Sequence, residues 1–107
     1  MKLLLFLKRN EKCAAIAEYD VEAGRFVVLK GSLVSDSIST APTFKGANAV
    51  KDARLSYVKN RKVIQDVVFR SSSTAGNFVT GNSTDGPRSW KDETGKQLKV
   101  ILGELKG

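Results

Sequence analysis

The chain has 107 residues, 41% hydrophobic and 27% charged, with 18 Lys and Arg against 11 Asp and Glu, a formal net charge of +7. That length and balance describe one globular domain, residues 1–107, able to bury a core and too apolar for global disorder. Histidine is absent and Cys13 is the single cysteine, which excludes an internal disulfide, Cys–His and Ser–His–Asp catalysis, and histidine-bearing metal sites.

Residues 3–7 form a short apolar run closed by Lys8-Arg9-Asn10-Glu11-Lys12, the pattern of a buried strand and a turn. The run is shorter than a secretory leader's apolar core and far shorter than a membrane span. A cytoplasmic protein is therefore expected, and the Asn82-Ser83-Thr84 sequon is not expected to be glycosylated. Residues 13–19 read as a second strand, in which Cys13 serves as a small core hydrophobe. Gly24 closes a turn, and residues 26–29, Phe-Val-Val-Leu, form the clearest strand. Three short strands joined by tight turns predict an antiparallel meander. Leu33 and Val34 offer a brief continuation, and residues 35–46 read as a loop.

The main helix is predicted over residues 47–60, with Ala49, Val50, Ala53 and Tyr57 on its core face. Lys51, Arg54, Lys59 and Lys62 fall on the flanking and opposite faces, where they form either a solvated surface or contacts to an anion. Residues 64–69 return to strand chemistry and end at Arg70. Ser71-Ser72-Ser73-Thr74 supplies helix caps, and a short helix is predicted over residues 75–80, ending at Gly81. The same hydroxyls beside Arg70 suit a phosphate held at a helix N-terminus, although capping alone explains them. Residues 82–87 are turn-forming, residues 89–91 predict a short strand, and residues 92–96 a tight turn. Residues 97–102 suit a strand or a helical turn equally. Trp90 is expected in the core, with Arg88 two residues before it positioned to clamp phosphate. Asp85, Asp92 and Glu93 stand in turn sequences, where local hydrogen bonding accounts for them. No metal site, phosphate loop or dinucleotide fingerprint is present. The fold class expected is thus α+β: a small antiparallel sheet with an N-terminal meander, one main helix and one short helix.

The positive charge is uneven. Residues 1–36 carry 6 basic and 5 acidic side chains, a net of +1, whereas residues 37–107 carry 12 and 6, a net of +6. A concentrated positive field attracts polyanions. The residues assigned to phosphate contact are Lys51, Arg54, Arg70, Ser72, Ser73, Arg88 and Lys91. No catalytic residue and no cofactor is assigned.

Phe26-Val27-Val28-Leu29-Lys30-Gly31-Ser32, Ser71 to Ala75, Gly81-Asn82-Ser83, Asp85-Gly86, Trp90-Lys91-Asp92, Gly95-Lys96 and Leu98 follow one another in order. This succession resembles a bacterial domain-of-unknown-function family, number 4357, found C-terminal to GIY-YIG nuclease domains and in restriction-associated proteins. Its Ser-rich helix start and Gly…Trp end are also similar to the restriction-enzyme and adenine-methylase associated (RAMA) domain. The resemblance covers about residues 14–102. Ser71-Ser72-Ser73 stands where the family usually shows Ser-Pro-Ser, and Gly86-Pro87 where it usually shows Gly-Trp. The resemblance implies a non-catalytic module that binds DNA or accompanies a nuclease or restriction–modification system. A protein–protein module that docks on a separately encoded enzyme is the alternative. Neither a membrane nor a small-molecule cofactor is expected as a partner.

Overall fold

The computed structural model describes residues 1–106. Strands β1 (Lys2–Arg9), β2 (Cys13–Asp20) and β3 (Arg25–Val28) form the expected antiparallel meander. The chain continues through helix α1 (Ala47–Tyr57), the two-residue strands β4 (Val58–Lys59) and β5 (Lys62–Val63), and strand β6 (Val67–Phe69). Helices α2 (Ser72–Thr80), α3 (Gly86–Ser89) and α4 (Leu98–Lys106) complete it. The main sheet has the order β1-β2-β3-β6, all antiparallel, while β4 and β5 form a separate hairpin. The α+β class is therefore as expected, with α3 and α4 added to the two helices read from the sequence. No helix is long and apolar enough to cross a membrane.

Successive side chains in a strand point to opposite faces, and here the two faces differ sharply. Leu5 and Leu7 of β1, Cys13, Ala15 and Ala17 of β2, Phe26 and Val28 of β3, and Val67 of β6 are buried on one face. The inward residues of β2 are small, and that gap admits large side chains from the helical layer. Ala75, Phe78 and Val79 of α2 enter there with Trp90 and Leu98, and Val50 of α1 is buried outside this cluster. Ala53 and Tyr57 pack partly against this core as the helical spacing required, but Ala49 is exposed. The helices lie on the core side, and the other face of the sheet is open.

Local structure departs from the sequence expectation at several points, and α2 starts at Ser72 where a helix from residue 75 was expected, because Ser71 is the residue that caps it. Helix α1 stops at Tyr57 instead of reaching residue 60, because Asn60 (φ 52) and Arg61 (φ 66) take left-handed conformations that close the β4–β5 hairpin. Arg61 is an uncommon residue in that region, and its side chain fixes it by donating to the carbonyls of Val34, Glu11 and Lys12. The strand expected over residues 64–69 is confined to Val67–Phe69, since Val63 is paired with Val58 in the hairpin. Residues 89–91 are not a strand. Pro87 starts the short helix α3, Trp90 ends it, and only Lys91 pairs with another strand. Residues 97–102, left open between strand and helix, enter α4 at Leu98, whose inward face is Leu98, Ile101 and Leu102.

Candidate nucleic-acid interface

The motif residues of the last third build an internal knot. Ser71 is the N-cap of α2 and accepts the Thr74 N–H, while Gly81 closes the helix in the left-handed conformation at φ 73. Ser73 Oγ accepts the Gly86 N–H at 3.0 Å, and the Ser72 carbonyl accepts the Trp90 indole N–H at 3.0 Å. The hydroxyls of Thr80 and Thr84 meet at 2.7 Å, and Asn77 Oδ1 accepts the Thr84 N–H. Every buried side-chain nitrogen and oxygen among the described residues has a partner. The α2 N-terminus is thus occupied by its own chain, because α3 sits across it.

A Cβ on Gly86 would run into the backbone of Ser72 and Ser73. Gly86→Ala is accordingly expected to cost about 1–3 kcal/mol, the range for forced overpacking, which urea melts followed by tryptophan emission would read. A melt unchanged from the parent would show that this contact is looser than described.

Arg54 belongs to the same knot. Its Nε and Nη2 donate to the Phe78 carbonyl at 3.0 and 2.9 Å, and its Nη1 donates to the Ser35 carbonyl at 2.9 Å. Further contacts reach the Val79 carbonyl and Ser35 Oγ. The Phe78 and Val79 carbonyls lie in the last turn of α2, at its negative end, so the guanidinium serves as a C-terminal cap that also ties Ser35 to the helix. Burial lowers its pKa from the usual value.

The other residues assigned to phosphate from the sequence scatter. Lys51 is exposed on α1, beside Ile38, Leu55 and Val58. Arg70 borders a groove of 330 Å³ between α1, β6 and α2, lined by Ala49, Val50, Phe69 and Phe78. Arg88 lies 3.6 Å from Asp85 in an exposed ion pair. Ser72 and Ser73 are tied into the knot. Lys91 alone reaches the open face of the sheet.

Lys91 gets there through two backbone bonds. The Phe6 N–H donates to the Lys91 carbonyl at 2.7 Å, and the Lys91 N–H donates to the Phe6 carbonyl at 2.9 Å. Directly opposed residues in antiparallel strands show their side chains on the same face. One row across the open face therefore runs Lys91, Phe6, Ile16, and Leu29 adjoins it by donating its N–H to the Ile16 carbonyl. A second row runs Lys8, Ala14, Leu33, Lys62, Lys59, because Leu33 bridges β2 to the β4–β5 hairpin. Neither row contains an acid, and both contain exposed apolar groups: Ile16 and Leu33 are each 40% exposed. Lys59 and Lys62 stand directly opposite each other, a like-charge pairing that is unfavourable in a sheet. None of the four lysines is ion-paired among the described residues. With strands about 4.8 Å apart, the second row spans about 19 Å.

The remainder of the open face mixes both signs, with one acid in excess. Lys2 and Arg25 share a groove of 270 Å³ with Glu18, Asp20 and Asp66. At the lysine end, Phe6, Lys8, Ser89, Lys91, Asp92, Glu93 and Gly95 line a depression of 410 Å³, two cations and two acids together. The Asp92 carboxylate is held below its ordinary range by the Thr94 hydroxyl and the Lys96 N–H, so it serves its own turn. Cys13 is buried, and burial raises its thiol pKa, which disfavours the thiolate a nucleophile needs. No group of three potential metal ligands forms among the described residues.

Lys8, Lys59 and Lys62 were not among the residues assigned from the sequence. The alternation of Lys2, Leu4, Phe6 and Lys8 marks the outward positions of β1, but their alignment with the hairpin depends on long-range register.

A family model described as "Domain of unknown function (DUF4357)" matches residues 5–102, and the chain belongs to that family. The match takes in β1, which lay outside the stretch carrying the resemblance. No curated protein and no solved structure gives a significant match.

Proposed function

We propose, from this chain's membership of the DUF4357 family, that it is a non-catalytic module that binds DNA through the open face of its sheet. The observation that carries the reading is the two adjacent rows in which Lys8, Lys59, Lys62 and Lys91 stand without an acid among them. Concentrated cations gain from displacing the counterions condensed on a polyanion, and an anion bound across Lys59 and Lys62 relieves their mutual repulsion. The absence of histidine and the use of the Ser, Thr and Arg54 groups inside the knot support a binding role over acid–base chemistry. A place beside a nuclease or a restriction–modification system, in the cytoplasm, suits such a module.

The test is titration of a labelled DNA duplex at about 50 and 200 mM salt, where affinity through several phosphate contacts falls steeply. Lys8→Glu combined with Lys62→Glu is expected to weaken binding by more than about tenfold and to flatten the salt dependence by about two contacts. Lys51→Glu and Arg70→Glu, on other faces, are expected to change it by less than about threefold, as screened distant charges do. Equal effects from all four positions would remove the open face as the site.

The groove between α1 and β6 supports a second reading, docking on a separately encoded enzyme. It is lined by Ala49, Val50, Ala53, Phe69 and Phe78, with Arg70 at its edge. A host protein retained after nuclease treatment, and lost on Ala53→Glu, would favour that reading.

A further inference from the structure

The open face combines its lysines with apolar groups that a DNA duplex has no use for. Phe6 is half-buried in the centre of the first row, between Lys91 and Ile16, and Lys8 lies two residues along β1. Leu29 and Leu33 extend the apolar surface across the strands, and Leu33 is 40% exposed. A duplex offers phosphates and groove edges while its base faces are stacked away, so covering this centre with a duplex desolvates cations and gains little. An unpaired strand offers base faces and phosphates together. Base–aromatic stacking is tolerant of sequence, because every base has a π face.

We propose that the form recognised by the open face is single-stranded nucleic acid, with a base stacked on Phe6 and the backbone passing along the lysine row from Lys8 to Lys62 and Lys59. This rests on the binding reading above and adds the form of the ligand to it. Phe6 is suited to a platform because its backbone is held from both sides, by Ile16 of β2 and by the two bonds to Lys91. A held ring loses little freedom when a base covers it. The depression of 410 Å³ beside it is lined by Lys8, Ser89 and Lys91 together with Asp92, Glu93 and Gly95, so the cations next to the stacked base lie on the side that continues into the lysine row, and the two acids lie away from it along the chain. The charge distribution selects the direction of the path: Glu18 and Asp20 occupy the adjoining rows, so an anionic strand follows the lysines instead of running toward Lys2.

The experiment compares a labelled oligothymidylate of about twelve nucleotides with a duplex of the same length, using the full chain at low salt. The single strand is expected to bind at least about tenfold tighter, and Phe6→Leu is expected to cost it about tenfold while leaving duplex binding within about twofold. Phe6→Tyr, which keeps the ring, is expected to retain the affinity. Ile16→Glu puts an acid beside the ring at an exposed position and is expected to weaken single-strand binding, which keeps the test decisive if Phe6→Leu disturbs folding. Equal binding of both forms, or a Phe6→Leu variant that folds and binds like the parent, overturns the single-strand proposal and leaves DNA binding standing. Failure of both nucleic acids to bind overturns both. Preference for phosphatidylcholine vesicles doped with phosphatidylserine over either oligonucleotide assigns the same apolar, cationic face to a membrane surface, and also overturns both.

Discussion

Trp90→Ala is expected to be the most damaging single substitution in this protein, costing about 3–5 kcal/mol as large aromatic truncations in cores do. Trp90 is 0% exposed, and its ring meets Phe26 edge-on with centroids 5.0 Å apart. Its indole N–H donates to the Ser72 carbonyl, its own N–H to the Gly86 carbonyl, and its carbonyl accepts the Leu98 N–H. One residue thus joins the start of α2, the end of α3 and the start of α4 to the sheet. Domains of this size have about 5–15 kcal/mol in total, so the loss takes a large share of it. The melting temperature, followed by circular dichroism, is expected to fall by about 12–40 °C at about 4–8 °C per kcal/mol. Trp90→Phe keeps an aromatic ring against Phe26 but strips the Ser72 carbonyl of its donor, and should fall between parent and alanine variant. An alanine variant melting within about 3 °C of the parent would mean that the layers are held elsewhere.

Arg54→Met is the second large effect, and it separates two roles that a surface arginine can have. Methionine keeps much of the stem's packing while removing the guanidinium. The carbonyls of Phe78, Val79 and Ser35 then lose a charged donor inside a partly buried pocket. Hydrogen bonds from charged groups contribute about 1.5–3 kcal/mol, and loss of the positive cap at the end of α2 adds to that, so about 2–4 kcal/mol is expected. Arg54→Lys should recover little, because one ammonium cannot reach carbonyls spread in the geometry of a planar fork. Denaturant midpoints measure the loss, and DNA titration under conditions where the variant is fully folded supplies the control. A variant of undiminished stability with impaired binding would return Arg54 to the ligand surface.

What the sequence made legible follows from how far apart the determinants lie. The strand over residues 3–7, a cap within the Ser71–Thr74 run, the helix end at Gly81 and the buried Trp90 are all local patterns and are found, although Leu4 of that strand faces out and α2 starts at Ser72 instead of residue 75. Arg54 was not legible, since an arginine on the flank of a helix reads alike whether it faces water or carbonyls 24 residues away. The end of α1 was missed because Val58 continues a helical spacing, whereas the left-handed Asn60–Arg61 turn is stabilised by contacts to residues 11, 12 and 34. The lysine-bearing open face was the least visible feature. Its four lysines come from β1, the hairpin and the segment after α3; only Lys91 was assigned to phosphate, while Lys59 and Lys62 were read as part of the face of a helix that ends before them. The charge excess in residues 37–107 pointed to the right half of the chain for three of them, but Lys8 joins them from the nearly neutral half.

The rung between Phe6 and Lys91 also bears on solubility. β1 is eight residues long and lies at one border of the sheet, the kind of strand that recruits another chain and grows into aggregates. One outward rung, the N–H and carbonyl of Phe6, is already taken by Lys91, and lysines at positions 2 and 8 place charge near both ends. The opposite border, β6, has three residues, too few to template an extended ladder. The sheet thus offers little free edge for growth along its plane while its broad face stays open.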